Sequence, residues 1–300
     1  MSSEYDQEEF FAEYAKMARS REGLSASGEW HQLRPMFPSI QGKKVLDLGC
    51  GYGWHCRFAA EQGAEQILGI DLSQKMIEEA KKRTRDPRIT YRICGMEEYE
   101  YPENTWDLVV SNLALHYVEG IEEIFQKVYR TLKEEGVFLF NIEHPVFTAG
   151  VGQEWIYGED GKPQFWPVDN YFMPGERTTN FLGCSVTKQH HTLTQILMGL
   201  LKQGFELKAV DRGFQLQRGQ PCQLCADQRG QVEGQGFRIL VHRQAIDGCI
   251  VPVLNGPLHP VGDKGLAADD VLNVGVVYHA FCTPLFCQTS SRAYLVMSML

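Results

Sequence analysis

The 300-residue chain has no apolar run near the roughly 20 residues that a membrane-spanning helix requires. Its opening, MSSEYDQEEFF, is acidic where a secretory leader is basic and then apolar. Positive charge is scarce: 29 Lys and Arg face 38 Asp and Glu, a formal net charge of −9. That balance speaks against a broad phosphate-neutralising face for nucleic acid and against an anionic membrane surface. Zinc-type spacing is missing too. Among nine cysteines, Cys222-x-x-Cys225 is the single tight pair, with no second pair and no suitably spaced histidines behind it. The expectation is a cytoplasmic protein with free thiols, no metal, no nucleic-acid or membrane partner and a small-molecule substrate; the oligomeric state stays open.

What is present has a regular order. Between Lys43 and about Glu143, short apolar runs alternate with amphipathic stretches. KKVLDL, QILGID, ITYRIC, WDLVVSN and VFLFNIE read as five strands. Between them, helices begin at Trp54, after Ser73 as N-cap, and at IEEIFQKVYRTLK. This alternation predicts an α/β fold, a doubly wound and mostly parallel sheet with helices on both faces. Residues 1–42 supply an N-terminal helical cap. Residues 43–210 form the main domain, and within it 145–190, rich in aromatics, Gly and Pro, read as an irregular lid insertion after the fifth strand. LTQILMGLLKQGFELKAV then restores helix and sixth strand.

Residues 211–300 break the pattern. Charged residues fall from 53 of the first 210 positions to 14 of the last 90, and only short runs such as FRILVH keep an apolar character. They read either as a small appended domain or as a non-native, frame-shifted tail.

Gly49, Gly51 and Gly53 alternate directly after the first strand, in VLDLGCGYGWHC. A dinucleotide fingerprint starting at Gly49 needs glycine at position 54, where this chain has Trp. Asp47 stands two residues before the first glycine. A carboxylate there repels a pyrophosphate and attracts an ammonium group, so the loop suits a zwitterionic amino-acid moiety. Asp71 ends the second strand, where an acidic side chain accepts from ribose hydroxyls.

VLDLGCGYG, GIDLS and WDLVVSNLALHYV resemble the motifs of class I S-adenosylmethionine-dependent methyltransferases of the small-molecule, methyltransferase type 11 group. The likeness runs from about Tyr5 to Val210 and extends to FFAEYAKMARS, EHPVFTA and a V-x-K-x-H stretch. It implies a Rossmann-like fold, S-adenosyl-L-methionine as cofactor and methyl transfer as activity. By that likeness Asp47, Gly49, Cys50, Gly51 and Gly53 line the methionine part, Asp71 binds ribose, and Leu72 packs on adenine. Met96 and Glu97 meet the adenine edge and Asn112 lies beside the methionine moiety. Apart from the likeness, Tyr14, Met17 and Arg19 stand on an N-terminal helix, about Gln7 to Ser20, that either closes over the cofactor or packs its aromatics on the sheet. The family often has an aspartate where this chain has Gly95. The likeness ends after FELKAV, where no usual seventh strand is recognisable, so the sheet is expected to lack it.

Methyl transfer from a sulfonium mainly needs alignment, with a general base where the nucleophile carries a proton. His116, His144 and His190 are the candidate bases; the alternative readings are a buried cap, a turn anchor before Pro145 and a helix-start imidazole. Trp155, Tyr171 and Arg177 are candidate substrate contacts, or members of the insertion's own small core. Two other functions remain open at this point: a non-catalytic cofactor-binding protein and an NAD-binding oxidoreductase.

Overall fold

The computed structural model describes residues 4–150, 155–212 and 236–243. These fall within one compact unit, Met1–Asp247; the second unit, Gly248–Leu300, lies outside the described residues, as do Cys222 and Cys225. The N-terminal cap is three helices, α1 (Glu8–Lys16), α2 (Ala18–Glu22) and α3 (Trp30–Leu33). The first two replace the single helix expected from the sequence, because Met17 takes an extended backbone (φ −60°, ψ 144°) that ends α1.

The sheet is assembled from β1 (Lys44–Leu48), β2 (Gln66–Asp71), β3 (Ile89–Ile93), β4 (Trp106–Asn112) and β5 (Leu132–Glu143). Its crossover helices are α4 (Trp54–Glu61), α5 (Gln74–Arg83) and α6 (Ile121–Thr131). Ser73 caps α5 by accepting the Met76 N–H at 3.1 Å, a bond that satisfies one otherwise orphaned donor. β5 starts earlier than the apolar run suggests, because Leu132 pairs with Trp106 before the register shifts.

The insertion holds a short helix, α7 (Pro145–Thr148), and two hairpins. One is β6 (Ile156–Tyr157) with β7 (Pro163–Phe165), the other β8 (Gly175–Phe181) with β9 (Cys184–His190). Helix α8 (Leu193–Lys202) follows, opened by a reciprocal Thr192–Gln195 capping box, and then β10 (Phe205–Arg212).

The last described strand, β11 (Gly236–Arg243), corrects the sequence reading. It lies between β10 and β5 and is antiparallel to both, giving the order β10-β11-β5-β4-β1-β2-β3. The sheet therefore has its seventh strand, and FRILVH lies within it. One apolar layer, with Phe125, Phe138, Ile196 and Ile239, sits under α6 and α8. A second, with Ala59, Ile67, Ile77 and Leu139, sits under α4 and α5. Helices on both faces leave the strands' carboxyl ends as the open edge, where ligands bind in such sheets.

Candidate functional site

A cavity of about 380 Å3 opens at that edge. Its floor is the turn after β1. A Cβ at Gly49 would come 2.4 Å from that of Ala114, whereas one at Gly51 (φ +51°) would meet nothing within 4 Å. The first glycine is thus required by packing against the chain. At the second the backbone faces open space that a ligand can approach directly.

Asp71 stands at the end of β2. Its Oδ2 accepts the Gly51 N–H at 2.8 Å and its Oδ1 the Ser73 N–H at 2.9 Å. Burial raises its carboxyl to about 6, only partly countered by those two bonds. The remaining lone pairs suit hydroxyl donors. Leu72, half-exposed, faces the cavity with Met76, Cys94 and Met96 and forms an apolar wall. Gly95 and Glu97 belong to the same loop, whose carbonyls are fixed by Tyr101 Oη to Met96 O at 2.9 Å and Lys127 Nζ to Glu97 O at 2.7 Å.

The opposite wall comes from the cap. Tyr14, Met17 and Arg19 line the cavity, and Arg19 is ion-paired with Glu29. Glu29 also accepts from Asn112 Nδ2 at 3.1 Å, and Asn112 Oδ1 accepts from Asn141 Nδ2 at 2.9 Å. Burial works against ionised Glu29, but the Arg19 charge and the Asn112 bond outweigh it and hold the carboxyl below its ordinary value. A charged chain of contacts thereby ties the cap to the end of β4. Just beyond it Leu113 takes φ +54°, an uncommon conformation for a side chain of its size, and lines the cavity.

Asp47 does not line the cavity. It lies behind the glycine turn, 1% exposed, with Oδ2 accepting from Cys56 Sγ at 3.2 Å and Oδ1 partnerless among the described residues. Burial pushes its carboxyl up to about 7. Gly53 is also off the cavity, at the N-cap of α4. Cys50 is on it, its thiol raised to about 11 by burial and therefore protonated.

The three histidines separate. His116 lines the cavity, 3% exposed, and burial lowers it to about 4, so it is neutral near pH 7. Its Nε2 lies 3.8 Å from Glu143 Oε1, and Nδ1 has no partner among the described residues. His144 is instead the N-cap of α7, Nδ1 accepting from Val146 N at 3.1 Å. His190 bonds Thr148 Oγ1 at 2.8 Å and the Tyr171 carbonyl at 2.9 Å. Neither borders the cavity, so both read as anchors of the insertion.

None of the expected substrate contacts borders the cavity either. Arg177, 9% exposed, donates to the carbonyls of Ala149, Glu176 and Met173 and so clamps the insertion's backbone. Tyr171 Oη accepts the Leu193 N–H at 3.0 Å, and Trp155 packs edge-on against Trp166. The far end of the cavity is built from other residues: Tyr5, Tyr117, Glu143, Phe181, Thr187 and Lys188. Tyr5 and Tyr117 share a 3.0 Å hydrogen bond, and Lys188 Nζ meets Glu143 Oε1 at 2.7 Å. The sequence did carry a signal for Lys188. In V-x-K-x-H it alternates with Val186 and His190, and all three are buried on one face of β9.

Among the described residues no group of three or more His, Cys, Asp and Glu is placed to hold a metal ion, and no helix is long and apolar enough to cross a membrane. The cavity does fit the cofactor implied by the sequence motifs. It has room against Gly51, an oriented carboxylate at Asp71, an apolar wall at Leu72, and an unpaired buried oxygen on Asp47 behind the turn.

Comparison with known proteins agrees. A family profile described as a methyltransferase domain matches residues 46–140. The chain is similar to a putative S-adenosylmethionine-dependent methyltransferase from Listeria monocytogenes, with 42% identity and a TM-score of 0.64, over 73% of this chain and 100% of that one. It is also similar to an S-adenosylmethionine-dependent methyltransferase from Mesorhizobium loti, at 34% identity and TM-score 0.64, over 74% and 100%. An uncharacterised protein of Haemophilus influenzae is 29% identical over 216 residues, 70% of this chain and 85% of that protein.

Proposed function

Since this chain belongs to the S-adenosylmethionine-dependent methyltransferases, we propose that it methylates a small-molecule acceptor held at the far end of the cavity, with His116 as proton acceptor. The observation that carries this reading is the position of His116: on the cavity wall, neutral, with one ring nitrogen unpaired among the described residues.

When bound, the cofactor supplies an electrophilic methyl carbon on a sulfonium that departs as a neutral thioether. Gly51 would let the backbone approach its amino-acid portion, and Asp47, buried behind the turn, would favour the ammonium when ionised. Asp71 would accept from the ribose hydroxyls, and Leu72 and Met96 would cover adenine. Arg19, Glu29 and Asn112 hold the cap against the sheet and keep water out, which preserves alignment. His116, on the cavity wall, would take the proton that the acceptor heteroatom gives up on methylation. Glu143 then faces an imidazolium, which its charge stabilises.

Titration calorimetry with S-adenosylmethionine, S-adenosylhomocysteine and NAD tests the donor site. Binding of the first two without NAD is expected, and the reverse pattern overturns the reading. Labelled-methyl transfer across a metabolite panel tests catalysis. A protein that binds the cofactor and transfers to nothing is a binder only.

A further inference from the structure

The far end of the cavity is rich in polar groups but balanced in charge. Lys188 and Glu143, 4% and 7% exposed, both line it and are in direct contact with each other, so their charges cancel locally. Burial keeps His116 neutral and raises the Tyr5 and Tyr117 hydroxyls, so all three enter as uncharged hydrogen-bonding groups. Hydrogen-bonding capacity is nevertheless left over. Lys188 spends one of its three N–H bonds on Glu143 Oε1, and that carboxylate oxygen, which accepts this bond, has a second lone pair to offer.

An ionised acceptor is poorly matched to this surface. An anion faces Glu4, which lines the same end and accepts the Thr187 N–H at 3.0 Å. A cation faces the sulfonium of the donor and a carboxylate already neutralised by Lys188. Either one gives up its water without gaining a free counter-charge. A neutral group that both donates and accepts suffers neither penalty.

We propose that the Glu143–Lys188 pair is the acceptor-recognition element, and that it takes an uncharged group presenting an N–H or O–H to the Glu143 carboxylate and an oxygen to the Lys188 ammonium. A carboxamide or a hydroxyl beside a carbonyl meets that description. Phe181, over which Lys188 lies at 5.6 Å, adds an apolar flank that suits a flat or aromatic body attached to it. This inference rests on the donor-site reading above.

The test uses the full chain saturated with S-adenosylhomocysteine and three probes of one shape: benzamide, benzoate and benzylamine. Benzamide is expected to bind at least about tenfold more tightly than either charged probe. Glu143→Gln leaves Lys188 unpaired and is expected to shift preference toward benzoate. Lys188→Met leaves Glu143 unpaired and shifts it toward benzylamine, with S-adenosylhomocysteine affinity unchanged in both variants. Retained cofactor affinity reports that each variant is folded, and the wild-type ranking decides the matter if a variant is not. A chain that does not bind S-adenosylhomocysteine overturns the donor site and this inference with it. A chain that binds it but prefers a charged probe, or takes none of the three, overturns the acceptor inference alone.

Discussion

Asp47 is a carboxylate that the folded chain holds out of water, and Asp71 is one half-buried at the cavity edge. Burial raises Asp47 from 3.8 to about 7 and Asp71 from 3.8 to about 6. Folded pKa values above the unfolded ones mean that the native state binds more protons across that interval. Their stabilising contribution is therefore complete below about pH 4 and lost as pH rises through 6 to 7. Asp47→Asn is expected to raise the melting temperature of the cofactor-free protein at pH 8 more than at pH 5, while weakening S-adenosylmethionine binding. Melting curves at the two pH values, with calorimetry beside them, check both halves. His116 and His190 make a second contrast. His116→Asn should lower kcat by about 10²–10⁴-fold with cofactor affinity intact. Because burial holds His116 near 4, its contribution to the rate profile should be flat above about pH 5.5. His190→Ala deletes two buried hydrogen bonds and should cost about 1–3 kcal/mol in urea unfolding, leaving the kcat of folded protein unchanged.

At the scale of elements, β11 joins the edge strand β10 to the rest of the sheet. Ile239 and Val241 are fully buried in the layer under α6 and α8, and the strand pairs along most of β5 and β10. Ile239→Ala is expected to cost about 2–5 kcal/mol. A chain ending at Val210, which removes β11 entirely, should lose S-adenosylhomocysteine binding in calorimetry, and unchanged binding would show the strand to be dispensable. The five parallel strands were legible because each is an apolar run followed by an amphipathic helix, and that rhythm is local. β11 was not. It is covered on both faces and so lacks an alternating pattern, and its partner β5 begins about a hundred positions earlier in the chain. That the glycine turn, Asp71 and Asn112 line one cavity, the end proposed for the donor, was legible for the same reason as the parallel strands: all stand at strand ends. The acceptor end was not, because it is assembled from the N-terminal turn, the end of β5 and the β8–β9 hairpin. Aromatic and arginine side chains within 145–190 drew attention to themselves. Their hydrogen bonds turn out to run to backbone of the insertion and of the start of α8, as Arg177 and Tyr171 do.

Across the described unit, the cavity is where three pieces of chain meet, with the cap also packed on the hairpin through Phe10, Met17, Leu182 and Val186. The sheet edge brings Gly51 and Asp71, the cap brings Tyr14, Met17 and Arg19, and the hairpin brings Thr187 and Lys188. Among the links that hold the cap there are the Arg19–Glu29–Asn112 chain, the Tyr5–Tyr117 hydroxyl pair, and Asp6, whose Oδ1 accepts from Ser73 Oγ at 2.7 Å and from the Lys75 N–H at 3.0 Å. A ligand that touches all three pieces stabilises their joint arrangement, not one element alone. At a hundred times its dissociation constant, S-adenosylhomocysteine should add about 2.7 kcal/mol. For a unit of this size that is a rise of about 5–10 °C in melting temperature, with no rise expected from NAD. The distribution of the effect is more telling than its size. Hydrogen exchange should slow in α1 and α2 and in the β8–β9 hairpin together, although these lie more than 150 residues apart in sequence. Slowing confined to the turns after β1 and β2 would mean that the cofactor engages the sheet edge without the cap, and that Tyr14 and Arg19 take no part in holding it.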